Sequence, residues 1–142
     1  MWVSKSLWGF AILETFHIIA LTIVLGTIFV INLTVLGVGV RQPAAQLASE
    51  LVPWTIGGLL VMIGSGVPMF MSSAVGYAGY VPFLIKMALL VSAIALQVAI
   101  HKVPRLYDGT AWGRLAACLS LVCWFGVAYA GRAISFEILF GA

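Results

Sequence analysis

Four polar side chains lie within long apolar stretches of this sequence, and their types are those needed for chemistry. Lys86 is a lone cation in the apolar run of residues 82–96, and chain topology allows Glu14, His17 and Arg132 as its neighbours. A charge inside a membrane costs several kcal/mol unless it reaches the interface or finds a partner. We therefore predict that Glu14, His17, Lys86 and Arg132, here called the Lys86 cluster, form a candidate cofactor-binding site.

The Lys86 cluster is compatible with two cofactors. A neutral His17 imidazole is a suitable axial ligand for a b-type haem, whose propionates Lys86 and Arg132 could hold. A quinone headgroup needs a hydrogen-bond donor and a proton-exchanging group, which His17 and Glu14 could supply from one helix face because they are three residues apart. The simplest alternative is structural, with both cations reaching the interface, Glu14 as counter-charge and His17 bonded to a carbonyl.

Soft ligands for copper(I) are a third option. Met69 and Met71 end the second apolar stretch at the predicted depth of His17, and thioethers suit this ion. Two residues at this spacing face apart, so at most one methionine is placed to bind. The two cysteines, Cys118 and Cys123, are five apart in one predicted helix and point to different faces. We predict that they pack rather than form a disulfide.

A second polar layer is predicted at the opposite ends of the helices. His101 and Lys102 close the third apolar stretch, Gln97 precedes them by one turn, and Asn32 lies near the end of the first stretch. His101 is nearly a full bilayer from His17, so the two histidines cannot ligate one haem within a single chain. The simplest role for His101 and Lys102 is to bond the last carbonyls of a helix, where the macrodipole favours cations.

Composition indicates where the helices that carry these residues lie. Of the 142 residues, 63% are hydrophobic and only 8% are charged, whereas a soluble domain has about 25% charged residues. The mean hydropathy is +1.18. These values predict an integral membrane protein, and the net charge of +3 reports membrane orientation rather than nucleic-acid binding.

Four apolar segments are long enough to cross a bilayer. They predict a single all-α transmembrane domain over residues 1–142, an antiparallel four-helix bundle with spans near residues 9–36, 54–74, 82–101 and 115–135. Residues 43–51 are predicted to form a short interfacial helix. The many glycines predict dense helix contacts, either within the bundle or with other subunits.

Basic residues predict the orientation of the bundle. Arg41, Lys102, Arg105 and Arg114 lie in the first and third linkers, and outside the apolar spans the other side has only Lys5. The positive-inside rule then places the two long linkers in the cytoplasm and both termini outside. The apolar stretch after Lys5 is longer than a signal-peptide core and is predicted to remain as the first span. We expect a multi-pass protein of a bacterial inner membrane.

Three strings carry a resemblance to a known family: residues 14–21, residues 82–86 and, most specifically, residues 120–135. They resemble a bacterial family of small four-span membrane proteins of unknown function, over nearly the whole chain. The family pattern has Asp-Leu-Arg at the end of span one and Asn before the histidine that closes span three. Here those positions are Asn32-Leu33-Thr34 and Gln97, so the charged half of that layer is missing, while His17, Lys86, Arg132 and His101 match. A looser likeness to copper-resistance and b-type cytochrome membrane domains is architectural.

Two classes of function follow. The first is a membrane anchor or accessory subunit of a larger, redox-linked membrane complex, since the sequence contains no self-contained nucleophile, acid–base pair or complete metal site. The second is a redox protein that binds haem b or quinone at the Lys86 cluster. A transporter is a weaker third interpretation, because four spans leave little room for a pathway without oligomerisation and the sequence shows no inverted repeat.

Overall fold

The computed structural model describes residues 7–39, 41–72 and 78–140. Most of this part of the chain belongs to four helices: α1 (Leu7–Val35), α2 (Ala44–Ser72), α3 (Val81–Lys102) and α4 (Ala111–Phe140). A 3₁₀ turn, Pro104–Tyr107, connects α3 to α4. The described ranges contain no strand, and each of the four helices is long and apolar enough to span a membrane. The prediction of an all-α transmembrane bundle is confirmed.

The helices form two antiparallel hairpins, α1 with α2 and α3 with α4, and the hairpins meet mainly through α1 and α4. Among helices adjacent in sequence, α2 and α3 meet least. Their contact includes a stack of the Phe70 and Phe83 rings, with centroids 5.0 Å apart. A hydrogen bond of 2.7 Å from the Thr55 hydroxyl to the Thr27 hydroxyl joins the first hairpin near its middle.

Close helix approach depends on particular glycines. A β-carbon at Gly58 on α2 would lie 2.9 Å from Val24 Cγ2 and 3.3 Å from the Ala20 carbonyl oxygen on α1. On α4, a β-carbon at Gly126 would lie 3.0 Å from Leu89 Cδ1 of α3. In lipid, packing at such small residues replaces the hydrophobic effect as the force that joins helices.

The core of the bundle is an apolar layer at mid-height. It consists of six buried residues, which come from all four helices: Ala20, Val24, Ile28, Met62, Ala93 and Trp124. The polar groups considered below lie on either side of this layer.

Two helix starts differ from the prediction by more than two residues, and α4 ends at Phe140, five residues later than predicted. Residues 43–51 do not form a separate helix, because α2 begins at Ala44 and continues through Pro53 without a break. α4 begins at Ala111, four residues before the predicted start, where the Thr110 hydroxyl accepts a 3.2 Å hydrogen bond from the Gly113 amide. This N-terminal cap satisfies a donor that has no partner within the helix.

α1 ends at a glycine. Gly37 has a φ of 80°, its amide donates to the Thr34 carbonyl at 3.0 Å, and the Val38 amide donates to the Leu33 carbonyl at 2.9 Å. This is a Schellman motif, in which a left-handed residue lets the chain satisfy the last carbonyls of the helix.

Candidate functional site

His17 lies on the face of α1 that packs against α2. Its Nδ1 atom is 3.0 Å from the Ser65 hydroxyl oxygen on α2. The ring lies flat against the α2 backbone at Gly66, where a β-carbon would be 3.2 Å from His17 Cε1. One serine and one glycine on a neighbouring helix therefore fix the position of this imidazole.

The surroundings of Ser65 bear on which nitrogen of His17 carries the proton. The Ser65 hydroxyl lies 2.8 Å from the Val61 carbonyl oxygen, to which it can donate, and 3.2 Å from the Met62 carbonyl oxygen. A hydroxyl has a single hydrogen, so a Ser65 hydroxyl that donates to Val61 can only accept from His17 Nδ1–H. This contact therefore favours the Nδ1–H tautomer of neutral His17.

Lys86 reaches across to α4. The space in front of Gly131 is occupied by the lysine side chain, and a β-carbon there would be 3.4 Å from Lys86 Nζ and 3.6 Å from Cε. The Lys86 side chain is half-buried. The charges of Lys86 and Glu14 both act electrostatically on His17. These three members of the Lys86 cluster therefore lie close enough to influence one another, although no ion pair within 4 Å joins Glu14 to His17, Lys86 or Arg132.

Arg132 is placed differently. It is exposed and lines a shallow depression on the outer face of α4, together with Tyr129, Phe136 and Glu137. The residue before it, Gly131, is the one that contacts Lys86, and consecutive residues on a helix differ by about 100° in direction. Arg132 therefore projects from a different side of α4 than the side that Lys86 touches.

The two methionines predicted as soft ligands differ in their exposure. Met69 is half-buried, whereas Met71 is exposed with 55% of its surface accessible. Within the described residues, no group of three or more His, Cys, Asp or Glu side chains could hold a metal ion. Cys118 and Cys123 are both free thiols. Cys123 packs against the apolar layer as predicted, whereas Cys118 is exposed and does not.

On the other side of the apolar layer, five residues form a continuous hydrogen-bonded chain, here called the polar chain. Asn32 Nδ2 on α1 donates to Ser120 Oγ on α4 at 3.1 Å, and Ser120 Oγ donates to Gln97 Oε1 on α3 at 2.9 Å. Gln97 Nε2 is 3.4 Å from His101 Nε2, and His101 Nδ1 is 2.5 Å from the Tyr107 hydroxyl. The polar chain thus links three helices to the 3₁₀ turn.

The inner and outer ends of the polar chain differ in environment. Asn32 and Ser120 are fully buried and Gln97 nearly so, whereas His101 and Tyr107 are half-buried. Burial raises the pKa of the Tyr107 phenol, because desolvation disfavours the phenolate. Within the resolved side chains, Asn32 Oδ1 and Trp124 Nε1 are buried polar atoms without a hydrogen-bond partner.

Comparison with known proteins gives no family assignment. No protein-family model matches the chain, and no curated protein or solved structure is significantly similar to it. Inferences about function therefore rest on the geometry of this chain.

Three contributors were missed by the sequence analysis: Ser65, Ser120 and Tyr107. The first two are hydroxyls in apolar helices, where serine commonly bonds only to the carbonyl one turn earlier, so their type gives no signal of a partner on another helix. Tyr107 lies six residues after His101, beyond the third apolar stretch, and its position alone does not indicate that it bonds back to that histidine. One signal pointed to these partners. The sequence predicts that Asn32, Gln97 and His101 share a layer, and several polar residues at one depth are expected to bond to one another and to nearby hydroxyls.

Proposed function

We propose that this chain is an integral membrane anchor or accessory subunit of a larger membrane complex. The observation that carries this proposal is a pair of glycines, Gly57 and Gly64, on an exposed face of α2. Neither has any atom within 4 Å of the position that a β-carbon would occupy. They are seven residues apart and therefore lie on the same side of the helix.

These two glycines differ from their neighbours in what they do for the chain. Gly58 and Gly66 on the same helix give room to α1 side chains, whereas no atom of the described residues occupies the space in front of Gly57 and Gly64. Glycine costs a helix about 1 kcal/mol relative to alanine. Small residues at a membrane helix surface allow another helix to approach closely, which is the role we assign to this face.

A photoreactive residue at Gly57 or Gly64, introduced into the chain in its native membrane, tests the proposal. We expect a discrete protein adduct from both positions, either with another subunit or with a second copy of this chain. The matched control is Val122 on α4, which is 67% exposed and lies outside the proposed face. Labelling of lipid alone from both glycine positions would contradict the proposal.

A second candidate function is a redox protein that binds haem b or quinone, and the environment of His17 favours it. Histidines that bind metals usually donate their other ring N–H to a carbonyl, a carboxylate or a similar acceptor. His17 has this arrangement when Nδ1–H donates to the Ser65 hydroxyl, 3.0 Å away, because Nε2 is then the unprotonated nitrogen. His17 would ligate a haem through Nε2, or accept a hydrogen bond from a quinol hydroxyl there, and Lys86 would offer a nearby positive charge.

We further propose that the larger membrane complex is redox-linked, and a haem or quinone bound at His17 would provide that connection. A visible absorption spectrum of protein purified from its own host tests it, with His17→Ala and His101→Ala as paired variants. We expect a haem Soret band, or quinol-dependent turnover of the complex, to be lost in His17→Ala and kept in His101→Ala. Wild-type protein with neither property, together with normal assembly of His17→Ala, would leave only the accessory-subunit function.

We further propose a bacterial inner membrane as the location, with both termini outside. Arg41, Lys102, Arg105 and Arg114, all exposed, lie at one end of the bundle, and this charge bias supports a cytoplasmic position for that end. Single cysteines at Asp108 and Ala78, in a background without native cysteines, report the two ends. External labelling at Ala78 but not at Asp108 is expected, and the reverse would invert the orientation.

A further inference from the structure

Two buried polar atoms lie at the inner end of the polar chain, and neither has a hydrogen-bond partner. One is an acceptor, Asn32 Oδ1 on α1, and the other is a donor, Trp124 Nε1–H on α4. Asn32 is fully buried and Trp124 is 2% exposed. Buried groups of this kind are rare in folded proteins and usually bind an ordered water.

The helix geometry brings these two side chains toward one another. Asn32 is bonded to Ser120, and Trp124 lies one turn after Ser120 on the same face of α4. Long side chains on a helix lean toward its N-terminus. Because α1 and α4 are antiparallel, Trp124 leans toward the Ser120 level and Asn32 leans toward the level of Trp124.

We propose that a single buried water molecule is bound between them, accepting from Trp124 Nε1–H and donating to Asn32 Oδ1. Water is the smallest molecule that can both donate and accept, which one unpaired acceptor and one unpaired donor require. The residues that cluster with Trp124, Ile28 and Ala93 among them, have apolar side chains, so they offer neither a competing side-chain partner nor the polar lining of a cofactor headgroup. The water extends the polar chain by one member, from Asn32 to Trp124 at the edge of the apolar layer.

Nuclear magnetic resonance of the chain in lipid nanodiscs, with ¹⁵N-labelled tryptophan, tests this site. Of the five tryptophan indoles, the one from Trp124 is assigned by its disappearance in Trp124→Phe. We expect a direct magnetisation-transfer cross-peak from water to Trp124 Nε1–H, with the sign of a long-lived bound molecule. That cross-peak should be lost in Asn32→Leu and kept in Asn32→Asp, which retains an oxygen acceptor at the same position.

Three results would overturn the proposal: no water cross-peak at Trp124 in the wild type, a cross-peak of unchanged intensity in Asn32→Leu, or a cross-peak to lipid or ligand protons in place of water. The absence of a water cross-peak in the wild-type spectrum is enough to exclude the water site, so the test does not depend on whether Asn32→Leu folds.

Discussion

The Nδ1 atom of His17 and the hydroxyl oxygen of Ser65 lie 3.0 Å apart across the interface of the first hairpin. The Ser65 hydroxyl is also 2.8 Å from the Val61 carbonyl oxygen, one turn earlier on its own helix, and donation there favours His17 Nδ1–H as the donor to Ser65. A serine on one membrane helix can therefore bias the position of the proton on a histidine of the neighbouring helix.

The tautomer of His17 is directly measurable. We expect ¹⁵N spectra of histidine-labelled protein near neutral pH to show a protonated Nδ1 and an unprotonated Nε2 for His17. Ser65→Ala removes the hydroxyl acceptor and should allow a second tautomer to be populated. A wild-type spectrum with protonated Nε2 would be inconsistent with the assigned direction of this hydrogen bond.

Gly66 controls the position of the same ring. In Gly66→Ala, the new methyl group would lie 3.2 Å from His17 Cε1, so the imidazole must shift by a few tenths of an ångström. We expect displaced His17 ring resonances and, under the cofactor function, weaker binding. Gly64→Ala is the matched control, because its β-carbon meets nothing and the His17 resonances should not move.

Alanine substitutions at Gly58 and Gly57 distinguish packing within the chain from packing against a partner. Gly58→Ala places a methyl group 2.9 Å from Val24 Cγ2 and should destabilise the first hairpin by about 1–3 kcal/mol through overpacking. Gly57→Ala meets open space and should leave the stability of the isolated chain equal or slightly higher. Unfolding in mixed micelles measures both, and equal effects of the two substitutions would argue against the observed α1–α2 interface.

Ser120 holds the polar chain together, since it bonds to both Asn32 and Gln97. Ser120→Ala breaks both bonds and should lower the free energy of unfolding by about 1–2 kcal/mol, the upper range for hydrogen bonds between membrane helices. Ser92→Ala is the control, because the exposed Ser92 hydroxyl bonds only to the Ala88 carbonyl of its own helix. Similar stabilities for the two variants would show that the polar chain contributes little.

The burial of the Tyr107 phenol predicts that the folded chain loses stability at alkaline pH. Burial raises its pKa, so the folded chain keeps the phenol proton at a pH where the unfolded chain has released it. The unfolded state then binds fewer protons, and stability falls as pH rises beyond the ordinary tyrosine pKa of about 10. Unfolding from pH 7 to 11 should show a smaller decline for Tyr107→Phe than for the wild type, and parallel curves would refute this assignment.

The sequence was sufficient to predict the four spans and the common depth of Glu14, His17 and Lys86, because runs of about 20 apolar residues determine both span number and span direction. It could not predict the rotation of each helix about its axis. In water, hydropathy identifies the inner face, but lipid is as apolar as the protein core. That is why Arg132 was grouped with Lys86, whereas the structure places Gly131 there.

The sequence also could not predict where α2 and α4 begin, and the reason is physical. Hydropathy reports where residues are apolar, but a helix begins where its first amides find an acceptor. α4 begins one turn before its apolar stretch because the Thr110 hydroxyl accepts from Gly113. α2 likewise extends through Pro53, and membrane helices tolerate a proline where other groups satisfy the backbone carbonyl that it frees.

The apolar layer between the Lys86 cluster and the polar chain has an electrical consequence. Asn32 follows His17 by fifteen residues on α1, about 22 Å along the helix. With the bundle in a membrane, most of a transmembrane voltage would be dropped across this layer. Moving one elementary charge across 100 mV corresponds to about 2.3 kcal/mol, so a charge carried from the Lys86 cluster to the polar chain would cross most of that energy difference.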